Sequence, residues 1–318
     1  MSNFKLLFSM ATLLSAIRLT IPLAFGALGS TITEKSGVIN LGVEGIMLMG
    51  SFAAVVGAHY SGSAFIGFLS AIVMGLLMGL IYAVLVLKFK ANQSVSGIGL
   101  NILATGLTLV LNRAIWSTEG MSGPVAQVPT FSVPLLSDIP YVGRLFANQS
   151  PYLLLLIIAV LVTSWYINRT KKGLRLRAIG QNDQAAETVG IPVVRYRYWA
   201  IVVSCVLFAV GGSYLSIVQN DRFVENMVAG RGFMAIAANI FGRQTALGSL
   251  GASFIFAYAQ SLRINLNLAV PDQFVQMLPY ALTLLVLILI GVRDMVKKRQ
   301  SRGTDLAIRQ LCRMQGTN

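Results

Sequence analysis

The chain has 318 residues, of which 55% are hydrophobic and 11% charged, with a mean hydropathy of +0.72. A soluble domain carries about 25% charged residues, so this chain lacks the side chains to hydrate its own exterior and must be solvated by lipid. The net charge of +14 does not point to nucleic acid, because 14 of the 25 basic residues lie in segments 169–198 and 293–318, beside apolar runs, as cytoplasmic loops do.

A bilayer core of about 30 Å needs roughly 20 apolar residues as helix. Continuous runs at 6–31, 37–57, 64–87, 95–116, 151–168, 199–219, 247–264 and 274–291 meet that requirement. None shows the alternating polarity of barrel strands. The first run is too long for a signal-peptide core and is expected to stay as a membrane helix.

Both basic segments belong on the cytoplasmic side, so an even number of crossings must separate them. The stretch 232–242, starting as early as Val224, supplies the crossing that the obvious runs lack, as a tilted, buried or broken helix. The expectation is an all-α polytopic protein of about nine membrane helices, within a range of eight to ten. Its N-terminus lies outside, residues 1–292 form the transmembrane domain, and 293–318 form a basic cytoplasmic tail. The connector 117–150, with Pro124, Pro129, Pro134 and Pro140, falls outside.

The cytoplasmic loop 169–198 contains a bounded helix. Asn182 is suited to cap its start, and Asp183 places negative charge at the positive end of the helix dipole. Gly190 suits the left-handed position after its last turn, and Pro192 prevents continuation. Ala185 and Ala186 form a small-residue patch where another surface can approach. Such a segment reads either as an amphipathic loop on the headgroups or as a docking helix for a cytoplasmic partner.

Polar residues inside apolar runs are costly and are therefore functional candidates. Asn40 and Glu44, four apart, share a helix face among Gly37, Gly42, Gly45 and Gly50. They either face a translocation pathway or lock helix packing, with Glu44 paired to Arg18 or Arg113. Asn101, Asn112, Asn239 and Gln260 carry the same ambiguity, and Phe233 and Phe241 either stack on a base or pack in the core.

No G-x-x-x-x-G-K-[ST] phosphate loop is present, and His59 is the single histidine. No catalytic residue, metal site or cofactor is assigned. Cys205 and Cys312 have no metal or disulfide spacing.

The run Gly173-Leu174, Arg177-Ala178-Ile179-Gly180, Asn182, Ala185-Ala186 and Gly190-Ile191 resembles the coupling loop of the branched-chain amino acid/ribose/nucleoside group of ABC permeases. The same group is matched by E-K-S-G-V-I-N-L-G-V-E-G-I-M-L-M-G at 34–50, by A-G-R-G-F at 229–233 with I-F-G-R at 240–243, and by Leu278-Pro279-Tyr280. The first of these is most like the nucleoside branch, and the loop is similar, more loosely, to that of the vitamin B12 importer permease. The chain departs from the pattern at 242–248, where Gln244 to Ala246 supply neither the aromatic nor the proline common there.

The resemblance implies a type II importer permease fold in the plasma membrane of a prokaryote. It implies partnership with a second, identical or paralogous permease subunit, a cytoplasmic ATPase that uses the ATP, and an extracytoplasmic substrate-binding protein. Nucleosides are the expected cargo, with ribose or another simple sugar as the alternative. An ion-coupled carrier would instead place paired charges at mid-membrane in repeated halves, and Glu44 is the one deeply placed acid.

Overall fold

A computed structural model describes residues 10–118, 120–129 and 149–266. Its elements are α1 (Met10–Lys35), α2 (Val43–Ser61), α3 (Ala64–Ala83), α4 (Gln93–Trp116), α5 (Pro151–Arg169), α6 (Lys171–Gln181), α7 (Asp183–Thr188), α8 (Val193–Tyr214), α9 (Arg231–Phe241) and α10 (Ala246–Leu266). α3 and α8 each run on into a π-helical turn, Val84–Lys88 and Leu215–Gln219. Among the described residues, six helical spans are long and apolar enough to cross a bilayer. The expected run 274–291, the Leu278-Pro279-Tyr280 match and the tail 293–318 lie outside the described residues.

The spans sort by how much of each is enclosed. α8 is 78% buried over its most apolar window, and α1 and α2 are close behind, whereas α4 is 22% buried. α4 and α5 therefore face outward, presenting Val95, Ile102, Leu161 and Trp165 as lipid-compatible surface. The inner helices approach closely because small residues meet. A methyl group on Gly75 would lie 2.9 Å from the Cys205 carbonyl oxygen, and one on Gly212 would overlap the Met47 carbonyl. Lipid gives apolar side chains no reason to associate, so contact of this closeness is the cohesive element.

Two expectations change. The run 37–57 does not begin as helix: residues 36–42 are irregular, and α2 starts only at Val43. The short stretch near 232–242 is a helix, but residues 224–230 are bridge and turn rather than its first turns. At a rise of 1.5 Å per residue, α9 covers about 16 Å, half of a bilayer core. Residues 224–241 are therefore non-helical chain followed by a half-helix.

Candidate functional site

The loop that follows α5 is a bracket of two short helices, α6 and α7. Thr170 Oγ1 accepts from Gly173 N at 3.0 Å and starts α6, a helix within the stretch expected as loop ahead of Asn182. Asn182 closes α6, and its Oδ1 accepts from Ala185 N at 3.0 Å to start α7. α7 ends with Gly190 N donating to Glu187 O at 2.9 Å and Ile191 N to Ala186 O at 3.1 Å, while Gly190 sits at φ +79°. That is the paired-bond C-terminal cap, in which the left-handed residue is normally glycine.

The bracket has an inner and an outer side. Ile179, Ala186 and Val193 are buried together, with Ile191 packed against them. Ala186, expected at a partner contact, is thus the inward anchor of α7, because it falls on the face turned toward α8. Ala185 and Gln184 are exposed, as are Leu174 and Val189, two large apolar side chains at 60% and 74% exposure.

The bracket is tied to the α1–α2 junction at two points. Gly180 lies against the end of α1, where a methyl group would overlap the Lys35 carbonyl and stand 3.2 Å from Gly37 N. Arg197, near the start of α8, donates from Nε to Ser36 O and from a terminal nitrogen to Asp183 Oδ2, both at 3.1 Å. This guanidinium holds the Asp183 carboxyl below the usual carboxylate range. One arginine therefore joins the bracket, α8 and the junction.

From there the chain turns back into the membrane. Asn40 Nδ2 reaches Cys205 Sγ at 3.7 Å, eight positions along α8 from Arg197, a rise of about 12 Å. Four extended residues span about 13 Å, so 36–40 climb alongside α8, and α2 begins about 12 Å along α8 from Arg197. Irregular backbone at that depth must be satisfied by protein. Asn40 Oδ1 accepts from Gly42 N at 2.8 Å. Asn101, on α4, takes Gly45 N and donates to Leu41 O. Gln93 Oε1 accepts from Ile39 N, and Tyr82 donates its hydroxyl to Ile39 O at 3.0 Å. Asn40 and Asn101 thus lock the re-entrant segment.

Glu44 stands at the top of this segment. Its Oε1 accepts from Gly230 N and its Oε2 from Gly232 N, each at 2.7 Å. The ion pair to Arg18 or Arg113 weighed from the sequence is not how this carboxylate is held. It caps α9, where the positive end of the helix dipole and the unsatisfied N–H groups favour an anion. Arg231 folds back onto the Met227 and Val228 carbonyls. At the other end of α9, Asn239 is fully buried, and its Oδ1 meets the hydroxyls of Thr31 and Ser249 at 2.7 and 3.2 Å.

The remaining candidates separate. Phe241 packs edge-on against Phe256, with centroids 5.4 Å apart. Gln260 bonds to Met234 Sδ at 3.2 Å. Asn112 is buried beside a cavity of about 220 Å³ near Arg113 and Glu225. Phe233 is exposed on the same face of α9 as Ile240. Tyr82, Gln93, Thr31 and Arg197 are not singled out by the sequence: Tyr82 lies inside an apolar run, Gln93 and Thr31 lie at the edges of runs, and Arg197 is one of seven basic residues in its segment.

Residues 12–289 match the family described as the branched-chain amino acid transport system permease component. The chain belongs to this family. It is 36% identical over 282 residues to the guanosine ABC transporter permease protein NupQ of Bacillus subtilis, covering 84% of this chain and 87% of that one. The nucleoside ABC transporter permease protein NupC of Lactococcus lactis is 35% identical over 84% of this chain and 88% of its own. The glucose ABC transporter permease protein TsgB13 of Haloferax volcanii is 28% identical over 84% and 73%. Among solved structures, an inward-facing ABC transporter of metal-chelate type aligns over 88% of this chain and 86% of that one, at 15% identity and a TM-score of 0.47.

The permease is a multi-pass protein of a prokaryotic plasma membrane. It is not an enzyme: in an ABC transporter, hydrolysis belongs to a separate ATPase subunit.

Proposed function

We propose that this permease imports nucleosides, and that α6 and α7 are the element on which its ATPase acts. The observation that carries the cargo is the similarity over 84% of the chain, at 36% and 35% identity, to permeases named for guanosine and for nucleosides, against 30% and 28% for two permeases named for glucose. A second permease subunit and an extracytoplasmic binding protein complete the transporter, the latter delivering the cargo.

The mechanism follows the chain of contacts. The ATPase seats on the outer side of the bracket, at Leu174, Ala185 and Val189. Because α6 and α7 are capped at every end, they move as a body rather than bending. Arg197 and the Gly180–Gly37 contact carry that movement into the re-entrant segment 36–42. The segment is continuous with Glu44, which holds the start of α9. Displacing the bracket therefore displaces the mouth of a half-helix near mid-membrane, where irregular backbone belongs beside a water-filled path.

The experiment is uptake by the reconstituted transporter. Tritiated guanosine should accumulate with ATP on the ATPase side, and excess unlabelled nucleosides should compete. Competition by glucose but not by nucleosides would assign the permease to sugars instead.

A further inference from the structure

A cleft of about 620 Å³ lies between α5, α6 and α8, with Ile32 of α1 also lining it. Its rim is basic, with Lys172 and Arg175 on α6 and Arg195 on α8, and no carboxylate is among its lining residues. Its inner wall is apolar: Val162 on α5, and Ala200 and Val203 on α8. Tyr166, Tyr196 and Trp199 stand between rim and wall, and Arg175 donates to the Tyr196 hydroxyl at 3.3 Å.

The vertical order of these groups carries the inference. Val203 lies eight positions along α8 from the rim residue Arg195, and Val162 lies seven from the end of α5. At 1.5 Å per residue, the wall on α8 extends about 12 Å from the basic rim. Cations at headgroup level, aromatics at the interface and aliphatic side chains at acyl depth match one anionic phospholipid, read from phosphate to chain. A free phosphate would use the rim and leave the wall uncovered.

We infer that this cleft holds one anionic phospholipid of the cytoplasmic leaflet. The lipid's phosphate lies among Lys172, Arg175 and Arg195, and the upper part of an acyl chain lies along Val162 and Val203. The lipid would brace the end of α5, the start of α6 and the start of α8, the three elements from which the bracket hangs.

The test is native mass spectrometry of the full transporter, purified in mild detergent from vesicles containing equal phosphatidylglycerol and phosphatidylcholine. Wild type should retain phosphatidylglycerol in preference. Each basic side chain near an anionic surface contributes about 1 kcal/mol, so K172Q/R175Q/R195Q should bind it about 100-fold more weakly. Val203→Trp fills the wall without changing charge and should also lose the lipid. Arg195→Lys should keep it. K88Q/K90Q removes two exposed charges near the same membrane face and should leave it in place. Retention by the triple variant overturns the proposal. So does displacement by millimolar inorganic phosphate, or an unchanged V203W, because either result reduces the site to headgroup-level anion attraction.

Discussion

The contact between Gly180 and the end of α1 gives a quantitative handle on coupling. In Gly180→Ala, the new methyl group would overlap the Lys35 carbonyl oxygen and stand 3.0 Å from the Lys35 carbonyl carbon and 3.2 Å from Gly37 N. All three are backbone atoms, so no side-chain rotation relieves the overlap; α6 must move away from the junction. Overpacking of this kind costs about 1–3 kcal/mol. Applied to the equilibrium between a bracket seated on the junction and one lifted from it, that is about 5- to 150-fold. G180A is therefore expected to reach the membrane normally and to copurify with the ATPase, because the outer side of α7 is unchanged. Guanosine uptake should fall by at least about fivefold while ATP hydrolysis persists. Gly190→Ala is the matched control: no atom lies within 4 Å of its added methyl, and the cost is only that of a left-handed alanine at φ +79°, about 1 kcal/mol. Wild-type uptake per ATP hydrolysed in G180A would refute the transmission path through this contact.

Other expectations follow from the same geometry. Glu44→Gln leaves one of the Gly230 and Gly232 N–H groups facing an amide N–H₂; a hydrogen bond to a charged group contributes about 1.5–3 kcal/mol, so uptake and the melting temperature of the purified transporter should both drop, with Glu44→Asp no better because it is too short to reach both donors. Asp183 has its carboxyl pKa lowered by Arg197, so the tie is complete above the ordinary carboxylate pKa and is lost only as pH falls below it; the dependence of uptake on Asp183, measured as the D183N to wild-type ratio, should be flat from pH 5 to 8. A cysteine placed at Gln127 should be labelled by an impermeant maleimide added outside, and one at Gln184 should be spared; labelling at 184 would reverse the orientation.

The caps of α7 were legible in the sequence because capping is local chemistry: Asn182 and Gly190 act on backbone groups within four residues of themselves. The helical nature of α6 was hidden by its charge, since K-K-G-L-R-L-R-A-I-G-Q reads as solvated loop, although Thr170 signalled its start. The re-entrant segment 36–42 was not legible. Its apolar residues look like the first turns of a span, and the groups that make it non-helical, Asn101, Gln93, Tyr82 and Arg197, are up to 161 residues away. Glu44 was recognised as a costly intramembrane acid, but its partners are backbone donors of a distant turn, which no residue type announces. Ala186 was read as a contact because small residues permit approach, and the structure shows the approach comes from within the same chain.

The central claim is that ATP hydrolysis beneath α6 and α7 drives nucleoside import through this permease. The most direct measurement is tritiated guanosine uptake into proteoliposomes holding the complete transporter, with wild type and G180A compared at equal ATPase activity. ATP-dependent accumulation by wild type, blocked by unlabelled nucleosides and largely absent in G180A, is the predicted result. Accumulation driven by an ion gradient without ATP, or guanosine uptake indifferent to ATP altogether, would contradict it.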